Sequence, residues 1–194
     1  MAFKVESGNF VQILYNGHGH WLTITNLGAE SKDEVLVYDS LYPSVSTCVH
    51  KQIAALLHTS SREIRVKIMD MQIQAGTCDC GLFAIATATA LLSGGQPGAC
   101  TFKQTEMRKH LYDGFKQGKL LPFPLLKMRR ASKKVKYTET ISVYCLCRMP
   151  EVQDRDMVEC SNCLEWFHVD CLVQPVPTAA LDNSNVDWFC DLCK

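Results

Sequence analysis

The last quarter of the sequence carries eight side chains of the types that bind zinc. In chain order they are Cys145, Cys147, Cys160, Cys163, His168, Cys171, Cys190 and Cys193. The gaps between them hold one, twelve, two, four, two, eighteen and two residues. A structural zinc ion takes four thiolate or imidazole ligands in a tetrahedron, so the pattern predicts two structural zinc ions. Two-residue gaps and a histidine among the ligands argue against a disulfide framework.

The order of these ligands, over residues 144–194, resembles that of a PHD finger. Four cysteines, one histidine and three cysteines follow one another, and the aromatic pair Trp166-Phe167 stands just before His168. The resemblance implies a small cross-brace fold in which the two ligand sets interleave. One ion is then held by Cys145, Cys147, His168 and Cys171, and the other by Cys160, Cys163, Cys190 and Cys193.

The same resemblance implies that the finger binds a histone tail. Tyr144, Met157 and Trp166 stand at the positions of the family's methyl-lysine cage, and Glu151 stands where some relatives have a further aromatic residue. Aromatic faces attract a quaternary ammonium ion, and a methionine thioether adds a polarizable wall. The alternative is that the aromatic side chains only pack around zinc.

A second candidate for chemistry is Cys80, at the start of an alanine- and leucine-rich stretch that predicts a helix over 80–92. A helix N-terminus lowers the pKa of a thiol, because the positive end of the helix dipole stabilises the thiolate. Asp79 could cap this helix through its carboxylate. The alternatives are that Cys80 is an ordinary core residue, or that the neighbouring Cys78 is the reactive thiol.

A nucleophilic thiol needs a base, and the base needs an acceptor that orients it. His20 opens one predicted strand, and Asp39 directly follows the next one. Antiparallel pairing of these strands would bring the two side chains together. His18 is a rival base.

These residues resemble the motifs of the SUMO/ubiquitin-like protease family. The matching blocks are His20-Trp21, Tyr38-Asp39-Ser40-Leu41, Gln74 and Asp79-Cys80-Gly81. The resemblance covers about residues 10–124 and implies a papain-like fold that acts on a ubiquitin-like protein or its conjugates. The implied roles are nucleophile for Cys80, general base for His20, orienting acceptor for Asp39 and oxyanion donor for Gln74.

The family carries a longer segment before its histidine block than the nineteen residues present here. We therefore expect a partial protease domain, which is either a fragment or a protease that has lost part of its fold.

Around these sites the sequence predicts an α+β layout. Alternating apolar residues predict strands over 10–15, 20–27, 34–38 and 63–69. Apolar residues at helical spacing predict a helix over 46–58, an amphipathic pattern predicts one over 104–117, and alanine and leucine content predicts a largely buried one over 80–92.

Charge divides the chain into three parts. Residues 1–126 hold 11 basic and 10 acidic side chains, residues 127–137 hold six basic and none acidic, and residues 138–194 hold three basic and ten acidic. We predict a protease-like domain over 1–126, a basic linker over 127–140 and a PHD-type finger over 141–194. The linker is either a solvated hinge or a contact for nucleic acid or an import receptor, through Lys127, Arg129, Arg130, Lys133, Lys134 and Lys136.

The expected location is the nucleus. The first residues carry no apolar core of a secretory signal, and the longest apolar stretch, 82–92, is too short to cross a membrane. Zinc-bound thiolates are typical of a reducing compartment. The sequence thus predicts a chromatin-associated cysteine isopeptidase-like protein whose finger reads a histone tail. The alternative is an inactive protease-like scaffold that acts only as a histone-tail binding protein.

Overall fold

A mixed five-stranded sheet forms the larger part of the computed structural model, which describes residues 8–128, 134–151, 155–182 and 186–194. Strands β1 (Val11–Tyr15) and β2 (Trp21–Thr25) form an antiparallel hairpin, and β3 (Glu34–Tyr38) pairs antiparallel with β2. Helix α1 (Thr47–Leu57) then crosses over to β4 (Glu63–Met69), which is parallel to β3.

The chain continues through two helices and a small second sheet. Helix α2 (Cys80–Leu92) precedes β5 (Cys100–Phe102), and helix α3 (Gln104–Gln117) precedes β6 (Leu125–Met128), which pairs with β5. Strand β7 (Val135–Ser142) then completes the large sheet, whose order is β1-β2-β3-β4-β7.

The remaining residues form a small unit with little regular structure. It contains the antiparallel strands β8 (Met157–Glu159) and β9 (Trp166–His168) and the short helix α4 (Thr178–Asp182). We call the described residues up to 143 the sheet domain, and those from 144 onward the finger.

The sheet domain buries apolar side chains on both faces of its sheet. One cluster joins Val35 and Val37 of β3 to Ile53 of α1. The other joins Tyr38 of β3 to Phe83 of α2. Because successive strand residues point to opposite faces, alternating sequence positions feed the two clusters. The α+β layout predicted from the sequence is confirmed.

Strand β7 occupies much of the segment predicted to be a linker. It pairs antiparallel with β4, with Ser142 opposite Glu63, so the second half of the basic segment is an edge strand of the sheet. Its alternating pattern is weak because the charged Glu139 stands among the inward-facing residues Val135, Tyr137 and Ile141. Lys127, Lys134 and Lys136 are exposed, whereas Arg129, Arg130 and Lys133 lie outside the described residues.

The predicted strands and helices of the sheet domain are present, with ends that shift by at most two residues. In the part of the chain that the structure describes, no helix is long and apolar enough to span a membrane.

If β7 is an integral part of the sheet, removing one of its core side chains should destabilise the whole sheet domain. Ile141 is 3% exposed and belongs to the apolar cluster that joins β3 to α1, which we call the α1-side cluster. We expect Ile141→Ala to lower the free energy of unfolding by about 2–5 kcal/mol, the usual cost of truncating a buried isoleucine. The matched control is Thr138→Ala, an exposed position of the same strand, which should change it by no more than about 0.5 kcal/mol. Similar values for both variants in urea unfolding would contradict the assignment.

Candidate functional site

The eight predicted ligands form two groups of four in the finger. In each group the four ligand atoms lie within 4.8 Å of one another. Bonds of about 2.3 Å from zinc to sulfur place tetrahedral ligand atoms roughly 4 Å apart, so each group fits one zinc ion. The first group is Cys145, Cys147, His168 and Cys171, and the second is Cys160, Cys163, Cys190 and Cys193.

Tight turns and one short ladder position these ligands. Cys145, Arg148 and Leu164 adopt φ angles of 64°, 52° and 56°, which non-glycine residues seldom adopt, and they close the loops around the ligand groups. Strand β9 ends at His168, opposite Met157 of β8. The Nδ1 atom of His168 lies 3.3 Å from the sulfur of Cys147, so this nitrogen faces the ligand group.

The acidities of the thiols show why the groups need a cation. Burial opposes ionisation of Cys160, but backbone N–H groups lower its pKa to about 6. In contrast, burial raises the pKa of Cys171 to about 11, and a hydrogen bond with Cys190 raises the pKa of Cys193 to about 12. Neighbouring thiolates repel one another, so all can ionise together only around a cation. Two structural zinc ions meet this need.

The four residues predicted to contact a histone tail line one cavity of about 180 Å³, formed by Tyr144, Glu151, Met157 and Trp166. The indole of Trp166 is 41% exposed, while Tyr144 and Met157 are half-buried. The other tryptophan of the finger, Trp188, instead packs on Phe167, with ring centroids 5.8 Å apart.

The sheet domain brings His20 and Asp39 together at one end of the sheet. The Nε2 atom of His20 lies 2.8 and 2.9 Å from the two carboxylate oxygens of Asp39, and both side chains are buried. Backbone N–H groups of Leu41 and Tyr42 also donate to this carboxylate. A carboxylate acceptor places the ring proton on Nε2, so Nδ1 carries the lone pair. Nδ1 is buried and has no hydrogen-bond partner in the described part of the chain.

Cys80 and Gln74 lie at the same end of the sheet domain. Cys80 is the first residue of α2, and its sulfur lies 4.0 Å from the carbonyl oxygen of Gly19, the residue before His20. Gln74 is 5% exposed and accepts a hydrogen bond from the Ser40 hydroxyl at 2.8 Å. Its side-chain amide donates to the carbonyl of Gly76 at 2.9 Å.

Helix α3 anchors the loop before Cys80. The side chain of Gln104 donates to the Asp79 carboxylate at 2.7 Å, and that of Arg108 donates to it at 2.5 Å. Asp79 is the N-cap residue of α2, as the sequence predicts, but its carboxylate makes no hydrogen bond that caps the helix. Gln104 and Arg108 face the loop on successive turns of α3, a spacing that marks a shared helix face but not what the face contacts.

Residues 145–193 match the PHD-finger family. The chain is 33% identical over 56 residues to the chromatin remodeling protein SHL of Arabidopsis thaliana, a match of 29% of this chain and 23% of the relative. It is 48% identical over 56 residues to the histone lysine demethylase PHF8 of Danio rerio, a match of 28% of this chain and 5% of the relative. It is 44% identical over 52 residues to protein ECM5 of Saccharomyces cerevisiae, a match of 26% of this chain and 3% of the relative. No solved structure is significantly similar.

These matches establish a PHD finger at residues 145–193, and the chain spans less than a quarter of each of these relatives. They give no support to the protease resemblance of the sheet domain.

Removing zinc should unfold the finger first. A unit of about fifty residues buries too little apolar surface to fold without help, so metal binding supplies much of its folding free energy. We expect elemental analysis to find two zinc ions per chain, and chelation to remove the near-ultraviolet signal of the finger while the sheet domain keeps its far-ultraviolet spectrum.

The ligand assignment predicts a difference between two cysteine variants. Cys160→Ser should lower the zinc content, whereas Cys78→Ser, at an exposed cysteine outside both groups, should leave it unchanged. A wild-type zinc content in Cys160→Ser would refute the assignment.

Proposed function

We propose that the finger reads a histone tail in the nucleus, with the side chain of a methylated lysine in the cavity next to Trp166. The observation that carries the proposal is that Tyr144, Glu151, Met157 and Trp166 border one cavity. Two similar proteins have names that refer to chromatin remodeling and to histone lysine demethylation, which supports this direction.

The chemistry of the cavity suits an alkylated ammonium ion. Aromatic faces attract the cation, and the thioether of Met157 provides a polarizable contact. The exposed carboxylate of Glu151 can accept a hydrogen bond from an ammonium that still carries a proton, so lower methylation states are acceptable ligands. Because the zinc ions are structural and have no open coordination position, the activity of the finger lies on its surface.

Charge attraction contributes to binding of a histone tail but does not determine which peptide is selected. Residues 138–194 carry three basic and ten acidic side chains, and a histone tail is basic. Opposite charges speed the encounter, and salt weakens this effect. Any basic peptide would benefit equally, so selectivity has to come from the cavity.

We expect Trp166→Ala to weaken binding of a methyl-lysine peptide by about 0.5–2 kcal/mol, because it removes a cation–π face. The unmodified peptide should lose less, since a primary ammonium ion keeps more of its hydration. Calorimetric titration of both peptides against both proteins measures the difference. Leu192→Ala is the control, because Leu192 is 84% exposed and does not line the cavity. Equal losses for both peptides would mean that Trp166 only packs the finger, and the reading proposal would fall.

A specific observation favours a second candidate function, a cysteine peptidase that acts on a ubiquitin-like protein or its conjugates. Asp39 holds the Nε2 proton of His20, which leaves Nδ1 as a base, and Cys80 lies nearby at a helix N-terminus. In the proposed reaction, Nδ1 accepts the thiol proton, and the thiolate attacks the scissile carbonyl. Gln74 donates its amide to the resulting oxyanion, for which it must release the carbonyl of Gly76. The papain-like fold belongs to this proposal, and its alternative is an inactive scaffold.

An electrophilic ubiquitin or SUMO probe should form an adduct with Cys80 if the peptidase proposal is right. Peptide mass spectrometry locates the adduct. Cys80→Ala and His20→Ala should each abolish labelling, while Cys78→Ala, the matched exposed thiol, should retain it. The absence of any adduct across a panel of such probes would favour the scaffold.

A further inference from the structure

The finger follows the last strand of the sheet domain after one residue. Strand β7 ends at Ser142, and the cavity residue Tyr144 follows two positions later. The intervening Val143 is 1% exposed in the α1-side cluster, and its N–H donates to the carbonyl of Arg62 at 2.9 Å. Met149 of the finger packs against the same cluster, and its carbonyl accepts the N–H of Tyr144 at 3.0 Å. The sheet domain therefore fixes the backbone of one wall of the cavity.

An ion pair holds the residue next to Trp166, another residue that lines the cavity. The carboxylate of Glu165 lies 2.8 Å from Nε of Arg62, in the sheet domain, and 3.1 Å from Nη1 of Arg148, in the finger. The Glu165 side chain is 11% exposed, and a carboxylate at such a position is costly unless it is paired. The next residue is Trp166, the first residue of β9. Because the two residues share one planar peptide unit, holding the Glu165 carboxylate against Arg62 restricts the backbone that carries the Trp166 ring.

A second cavity of about 180 Å³ shows that both walls border the junction. Its lining combines Arg62 and Ser142 of the sheet domain with Tyr144, Glu165 and Trp166 of the finger. Tyr144 and Trp166 thus separate the proposed methyl-lysine cavity from the space between the two units.

We propose that Arg62 is a positioning residue of the reader: it orients Trp166 through Glu165, so that the sheet domain completes the cage. This inference rests on the proposed reading function. Without Arg62, Glu165 keeps Arg148 as its only partner among the described residues and can turn toward the finger or solvent. Trp166 then samples more orientations. Cation–π attraction requires the cation to stay within about 6 Å of the ring centroid, so a mobile ring discriminates less well.

The test compares two arginine variants in the full chain. Arg62→Ala should reduce the preference for a trimethyl-lysine peptide over the unmodified peptide by about two- to fivefold, the equivalent of an exposed cation–π contact. The matched control is Arg65→Ala. Arg65 lies on β4, is 57% exposed against 63% for Arg62, and also pairs with a buried carboxylate, that of Glu34. Arg65→Ala should keep the preference, and both variants should bind two zinc ions.

The double variant Arg62→Ala/Trp166→Ala separates an indirect from a direct role. If Arg62 acts through Trp166, it should lose no more preference than Trp166→Ala alone. Additive losses of preference in the double variant would overturn the positioning role. So would an equal preference in Arg62→Ala and Arg65→Ala, provided that Trp166→Ala still lowers the preference. An unchanged preference in Trp166→Ala would instead refute the reading function and this inference with it.

Should Arg62→Ala fold poorly or lose zinc, Arg62→Gln and Glu165→Gln decide the question by the same criteria. Each removes one charge of the pair and keeps a hydrogen-bonding side chain, which is the same size as the original in Glu165→Gln and shorter than arginine in Arg62→Gln. A lowered preference in both supports the proposal, and an unchanged preference in both overturns it.

Discussion

The pairing of β4 with both of its neighbours is the constraint on which the rest of the structure depends. Because β3 and β4 are parallel, Asp39, the residue after β3, lies beside the end of β4 that carries Met69. Antiparallel pairing with β7 delivers Tyr144 to the opposite end, where Glu63 faces Ser142. The candidate catalytic cluster and the candidate reader therefore lie at opposite ends of one sheet, separated by roughly 20 Å of extended strand.

Stability comes from different sources in the two units. The sheet domain buries apolar clusters on both faces of its sheet, whereas the core of the finger consists largely of its metal ligands with Val158 and Phe167. Zinc holds the finger together, but zinc alone does not orient it. Val143, buried in the sheet domain, and the pair of Arg62 with Glu165 provide that orientation. The finger thus depends on metal for its fold and on the sheet domain for its placement.

The sequence was most informative where a local pattern carries the physical constraint. Ligand types and spacing predicted two zinc ions, and the resemblance to a PHD finger implied how the ligands divide between them. Strand periodicity predicted the strands beside His20 and Asp39, and their pairing was the assumption that joined the two side chains. Strand β7 was obscured because the charged Glu139 interrupts its inward-facing apolar positions and because basic residues precede it. The contact of Arg62 with Glu165 joins distant parts of the chain, and neither residue belongs to a motif. Such a contact depends on how the sheet domain packs against the finger. The periodicity of a strand or helix carries no information about that packing.

The buried polar cluster bears on the choice between an enzyme and a scaffold. A buried His20–Asp39 pair costs desolvation, and apolar residues of similar volume often serve stability equally well or better. The buried Nδ1 of His20 has no partner in the described residues, which adds to that cost. The proposed histone-reading finger does not need the His20–Asp39 pair, because its contacts with the sheet domain lie at the other end of β4. Costly polar groups that packing does not explain are typical of functional sites. The scaffold role therefore accounts for Arg62 and β7 but leaves the cluster at Cys80 unexplained, which supports a separate chemical role for that end of the sheet.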